Sequence, residues 1–296
     1  MDNIRGAGFM VFAMLCFALE DALIKMLAGR IPAGQVLGLI CLGGLVLFLA
    51  WSALKGQPLW SPDYLNGKVI LRSLCEVIGS CFFVSALALI PLTTASAVIQ
   101  ATPLVVAMGA ALFLGQEVGW RRWLAIAVGF TGVLVIIRPG MEGFMPATLL
   151  AVGGMLGLAA RDLLTRSLKV HLSGIQLGVH AFAIVAPAAL LLPLLQGQPL
   201  VMPAGSEWTL LGLSVVVAMV AYLAIVAATR AGNAGIISSF RYSRMVFALV
   251  VGYLFFTELP DAPTLIGAAI VITSGVYTLW REARLARASL RETPAL

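Results

Sequence analysis

Apolar residues run along this chain in long blocks, separated by short polar or turn-rich joints. A helix needs about 20 mainly apolar residues to cross the roughly 30 Å hydrocarbon core of a bilayer. Ten blocks meet that length, near residues 5–27, 33–53, 69–90, 94–114, 121–138, 146–166, 173–194, 208–228, 234–257 and 262–280. Barrel strands run about ten residues with alternating polarity, so these longer, evenly apolar blocks predict helices. The joints are short, as at Pro91 and at Pro260-Asp261. The longer stretch 55–68 carries Pro58, Trp60, Pro62, Asp63 and Gly67, and reads as a loop with an interfacial aromatic anchor. The first block continues past Cys16 into Glu20 and Asp21 with no small-residue cleavage pattern, so it reads as a retained span.

Composition agrees. Hydrophobic residues make up 61% of the 296 and charged residues 11%, with mean hydropathy +1.02. A soluble domain carries about 25% charged residues, so a water-soluble enzyme is excluded, and so is a disordered chain. The four cysteines, Cys16, Cys41, Cys75 and Cys81, lie inside apolar blocks without metal-binding or redox spacing and read as small packing residues. No metal or cofactor motif is present. The net charge of +6 comes without a basic stripe interleaved with aromatics, so nucleic acid is not the partner.

Positive charge is distributed by side instead. With the N-terminus inside, one face holds Arg5, Lys55, Lys68, Arg72, Arg121, Arg122, Arg166, Lys169, Arg230, Arg281, Arg284, Arg287 and Arg291. The other holds only Lys25, Arg30 and Arg138. The bias predicts that both termini are cytoplasmic. The basic run 281–291 reads as a topology anchor that can extend as a helix along anionic headgroups.

The two halves repeat. A shift of 141 residues places Asp21 on Asp162 and Lys25 on Arg166, and the same shift places Phe113 to Glu117 on Leu254 to Glu258. It also pairs Gln100 with Arg241 and Thr102 with Ser243; a two-residue adjustment then brings Gly132 onto Gly275. Five helices per copy is an odd number, so the second copy enters the membrane from the opposite face. The predicted fold is an all-α polytopic membrane protein of ten helices in two inverted repeats, residues 1–139 and 140–281, followed by a basic tail, 282–296. Inverted repeats support alternating access around a site near the midplane.

The helix ends Leu112 to Glu117 and Tyr253 to Glu258, with the glycine-rich run Gly129 to Leu134, resemble the drug/metabolite transporter superfamily, in its ten-helix EamA-type branch, over essentially the whole chain. Within it, Ser239 to Arg244 followed by Gly252-Tyr253 is similar to two uptake groups, the bacterial riboflavin and S-adenosylmethionine transporters. The pairs Glu20-Asp21 and Arg161-Asp162 are similar to the riboflavin group. The resemblance implies a secondary transporter of the inner membrane that moves a small organic metabolite, with riboflavin favoured and S-adenosylmethionine or amino acids as alternatives. It implies a chamber lined by the first, third, fourth, sixth, eighth and ninth helices, gathering Glu20, Glu76, Gln100, Asp162, Tyr222, Arg241 and Tyr242.

The polar residues point the same way. An ionisable side chain at bilayer depth costs about 2.5–3.5 kcal/mol on insertion scales and needs a partner or a wet cavity. Glu20, Asp21, Glu76, Arg161, Asp162, His180, Arg241 and Arg244 all fall within or near predicted spans. The substrate-site candidates are Glu20, Asp21, Glu76, Gln100, Thr102, Asp162, Phe240, Arg241, Tyr242 and Arg244. Tyr242 or Phe240 can stack on a flat ring, arginine can donate to imide oxygens, and carboxylates can accept from hydroxyls. Internal pairing of Asp162 or Glu20 with Arg241 or Arg161 is the competing role. Arg161 and Asp162 are adjacent and point about 100° apart, so they are not expected to face one partner. Lys25 and Arg166 read as helix-end cations that snorkel, Glu117 and Glu258 as helix-end groups in water that hold helix packing as interface polar groups, and His180 as a satisfied core residue. Pro103 frees the carbonyl of Ile99 and predicts a kink there. On this reading transport is either coupled to protons through Asp21, Asp162 or Glu76, or uncoupled, as in a facilitated carrier. No catalytic motif of a hydrolase, metalloprotease or nucleotide-binding loop is present.

Overall fold

The computed structural model describes residues 2–54, 56, 60–115, 119–168, 172–231 and 234–292. Among them the regular structure is helical. The helices are α1 (Asp2–Ala28), α2 (Ala33–Leu54), α3 (Gly67–Leu89), α4 (Leu92–Ile99), α5 (Thr102–Phe113), α6 (Trp120–Ile137), α7 (Thr148–Ser167), α8 (Gly174–Leu195), α9 (Gly205–Ala231), α10 (Ala234–Ser239), α11 (Ser243–Phe256) and α12 (Ala262–Glu292). Nine stretches among the described residues are long and apolar enough to span a membrane, with Leu92–Phe113 taken as one. The tenth crossing is the interrupted run α10 to α11.

The expected fourth and ninth spans, 94–114 and 234–257, are therefore not continuous helices. Each breaks near its middle, at Gln100-Ala101 and at the 3-10 turn Phe240–Tyr242. The last helix continues well past 280, to Glu292, as the basic run allowed. Local capping explains several starts. Asn66 accepts from the backbone N–H of Lys68 at 3.0 Å to begin α3, and Ser173 and Gln176 form a reciprocal capping box at α8. Asp261 accepts from the backbone N–H of Thr264 at 3.0 Å to begin α12. Hydrogen bonds from Thr264, joined by Arg138, hold the Asp261 carboxyl below the usual carboxylate range.

Packing follows the repeat. Helix α1 lies against α9, and its repeat counterpart α7 lies against α3, the counterpart of α9. Helices α2 and α8, and α6 and α12, pack as counterpart pairs, and α4 packs against α11, the second half of the interrupted span that corresponds to its own. A pseudo-two-fold relation between inverted halves requires this pattern, because each contact must recur with the copies exchanged.

Two crossings depend on glycine. A Cβ on Gly79 would lie 2.7 Å from the backbone nitrogen of Leu158, and one on Gly157 would lie 2.6 Å from the Cα of Gly79. Across α6 and α12, a Cβ on Gly132 would lie 2.8 Å from the Gly267 carbonyl oxygen. The obstacles are backbone, so no rotamer change relieves them. Gly79→Ala is expected to force α3 and α7 apart at a cost of about 1–3 kcal/mol, read as a lower thermal unfolding temperature in detergent. Gly8→Ala, at a helical position with open space around it, should not lower it.

Candidate functional site

The two helix breaks meet. In the first repeat, Pro103 cannot donate to the carbonyl of Ile99, and the hydroxyl of Thr102 donates to that carbonyl instead. In the second repeat Ser243, the counterpart of Thr102, donates to the carbonyl of Phe240 at 2.7 Å with the same three-residue reach. Both breaks are thus closed by a side-chain hydroxyl, although only one contains proline. Gln100 donates from Nε2 to the carbonyl of Arg241 at 3.3 Å. These residues are 141 apart, the repeat offset itself, so the breaks touch on the pseudo-two-fold axis. Irregular backbone at membrane depth is tolerated where protein or a wet cavity satisfies it, and discontinuous helices of this kind frame transporter sites.

Around the breaks runs a chain of charges from both repeats. Arg244 donates to one oxygen of Asp21 from Nη2 at 2.6 Å and from Nε at 3.2 Å, and lies over the rings of Phe17 and Phe83 at 5.4 and 5.7 Å. Glu76 accepts from Arg72 at 2.7 Å and from Arg161 at 2.9 Å. Arg161 also folds onto Asp162, donating to Oδ1 at 2.9 and 2.7 Å. Its long side chain reaches Asp162 across the 100° offset between adjacent helical positions. Arg72, counted above among the topology cations, donates from Nε to Thr165 at 3.0 Å and belongs to this network.

Glu20 and Arg241 stand differently. Glu20 is half-buried within electrostatic reach of Asp21 and Arg244, and Arg241 is half-buried within reach of Asp162, Arg161 and Arg244. Among the described residues neither side chain has an ion pair within 4.0 Å.

The structure thus brings Glu20, Asp21, Glu76, Gln100, Thr102, Asp162, Arg241 and Arg244 to one region, but it employs most of them. Thr102 and Gln100 serve the backbone at the breaks. Tyr242 is buried with its hydroxyl lodged against Gly275 and no hydrogen-bond partner among the described residues, so its ring offers no open face in this conformation. Phe240 is exposed. Tyr222 packs edge-on to Phe48 at 5.0 Å, and Phe48 stacks on Phe182 at 5.5 Å. His180 is satisfied, with Nδ1 2.9 Å from the Ser73 hydroxyl and Tyr64 stacked on its ring at 4.8 Å. Residue type alone did not single out Arg72 and Arg161 as site residues. The four-residue spacing from Arg72 to Glu76 was the available signal.

Comparison with known proteins is consistent with this architecture. The chain is 29% identical to a riboflavin transporter of Vibrio cholerae over 94% of each chain. It is 27% identical to a riboflavin transporter of Rhizobium johnstonii, over 96% of this chain and 94% of that one. It is 25% identical to an S-adenosylmethionine uptake transporter of Rickettsia felis, over 94% of each. A solved crystal structure, 19% identical, superposes with a TM-score of 0.64 over 96% of this chain and 98% of its own, and shares the fold. The model of the EamA-like transporter family matches residues 4–138 and 145–280. The chain belongs to the EamA-like transporter family of the drug/metabolite transporter superfamily, and is a multi-pass membrane transporter.

Proposed function

We propose that this transporter takes up riboflavin across the bacterial inner membrane by alternating access, with the face that bears the start of α1 and the end of α12 in the cytoplasm. On this reading the repeats 1–139 and 140–281 rock about the helix breaks, and 282–296 lies at the cytoplasmic surface.

The charge balance of the chamber carries the reading. Four acids, Glu20, Asp21, Glu76 and Asp162, stand against four arginines, Arg72, Arg161, Arg241 and Arg244. Internal pairing leaves Glu20 and Arg241, one of each sign. A substrate with no net charge that presents both acceptors and donors satisfies both without adding charge to a poorly solvated space, where an uncompensated charge is costly. Riboflavin has that character: its imide oxygens can accept from Arg241, its ribityl hydroxyls can donate to Glu20, and Phe240 can pack against its flat ring. S-adenosylmethionine is the second reading, favoured by the relatives of that name. Its net positive charge leaves the same chamber unbalanced.

The test is initial-rate uptake of labelled riboflavin by a riboflavin-auxotrophic bacterium with and without this chain. Saturable uptake blocked by unlabelled riboflavin, and not by S-adenosylmethionine, is expected. No riboflavin uptake by protein shown to be in the membrane would overturn the assignment. Riboflavin-insensitive uptake of S-adenosylmethionine would establish the second reading.

A further inference from the structure

Far from the breaks, a second polar cluster joins both repeats at the face where α1, α3 and α11 end and α4 begins. Glu258 follows the left-handed Thr257 (φ 52°) that terminates α11. Its carboxylate accepts from the backbone N–H of Leu92 at 2.9 Å, from that of Thr93 at 3.1 Å and from the Thr93 hydroxyl at 3.2 Å. The first-turn N–H groups of a helix have no partner within the helix and favour a carboxylate. Lys25, near the end of α1, donates from Nζ to the carbonyls of Leu87 (3.2 Å) and Ile90, at the end of α3. Its Nζ lies 3.6 Å from Glu258. The two side chains are only 16% and 12% exposed. Lys25 does not snorkel and Glu258 does not sit in water as their positions near helix ends suggested, whereas the expected role of Glu258 as a polar group holding helices together agrees with these contacts. One ion pair serves the ends of four helices.

The opposite face carries the equivalent cation in a different state. The 141-residue offset puts Arg166 in the place of Lys25, and Glu117, which lies outside the described residues, in the place of Glu258. Arg166 is exposed, and among the described residues it has no ion pair. Inverted repeats alternate by exchanging such states between the two faces.

We propose that Lys25 and Glu258 form the lock that closes the Glu258 mouth of the chamber, and that the chamber exchanges with the Arg166 face while the lock is made. Transport then requires Lys25 to leave Glu258 and the α3–α4 corner in each cycle. The lock rests on the transporter reading above and is independent of which metabolite is carried.

Side-specific thiol labelling tests it. Cys16, Cys41, Cys75 and Cys81 are replaced by alanine, Glu20→Cys provides a reporter in the chamber, and a membrane-impermeant thiol reagent is applied to each face in sealed vesicles of known orientation. With the lock intact, the reporter is expected to label from the Arg166 face. Adding Glu258→Gln should raise labelling from the Glu258 face about tenfold, as a minor open state gains population. Lys25→Met should do the same while leaving Glu258 to cap α4, which separates unlocking from damage to that helix start. Labelling from the Glu258 face in the lock-intact protein, or no rise there in either variant, would overturn the lock. The readout needs no uptake. Labelling as described, together with no riboflavin uptake by the wild-type chain, would retain the lock and lose only the substrate.

Discussion

Arg241→Ala is expected to reduce riboflavin uptake by one to two orders of magnitude while leaving membrane insertion unchanged. A hydrogen bond to a charged group contributes about 1.5–3 kcal/mol, and each 1.4 kcal/mol is tenfold in affinity. Arg241 is suited to this role because the neighbouring arginines are occupied: Arg244 by Asp21, and Arg161 by Glu76 and Asp162. Its removal also leaves four acids facing three arginines, so the empty chamber becomes negatively charged. Arg241→Lys retains the charge but not the planar fork of donors, and intermediate uptake is expected. Initial rates at several substrate concentrations, normalised to protein in the membrane, are the measurement. Wild-type rates for Arg241→Ala would remove this residue from the site. The backbone carbonyl that Gln100 engages at 3.3 Å persists in either variant, so the break itself should survive.

The second large effect is on stability. Arg161→Met removes the cation shared by Glu76 and Asp162, at 2.9 and 2.7 Å. Breaking a buried pair by deleting one partner costs up to about 3–5 kcal/mol, chiefly because the other charge is left uncompensated. Glu76 retains Arg72 at 2.7 Å, so the deficit falls mainly on Asp162. Arg161→Met is therefore expected to lower the unfolding temperature in detergent markedly. The double variant Arg161→Met/Asp162→Asn should recover part of the loss, since both charges are then gone. A double variant no more stable than Arg161→Met would show that Arg161 acts by packing and not by neutralising Asp162. The same geometry bears on proton coupling through Asp21, Asp162 or Glu76, since each of these is already held by an arginine.

Much of the architecture was legible in order along the chain. Block length and evenness predicted ten crossings. The single offset that matches Asp21 to Asp162 and Phe113–Glu117 to Leu254–Glu258 predicted the inverted halves that appear as counterpart helix pairs. The break at Gln100 was announced by Pro103, because a missing N–H is a local property of one residue. The matching break at Phe240–Tyr242 contains no proline and carried no local signal. Only its pairing with Gln100 through the repeat hinted at it.

The roles of individual polar residues were not legible in the same way. Glu20 and Asp21 are neighbours of one charge type, yet Asp21 meets Arg244, 223 positions away, and Glu20 does not. Tyr242 has a ring suited to stacking, but the small Gly275 opposite it accepts the ring into the packing. Lys25 reads as a cation at a helix end until the ends of α3 and α4 and Glu258 are placed around it. The sequence by itself determined that the chain crosses a bilayer ten times in two inverted copies with charges kept within or near the spans, because hydrophobic transfer and helix length act within each segment. The tertiary structure alone decided which of those charges neutralise one another and which two are left over, because a charge's partner is set by distance across packed helices and not by position along one.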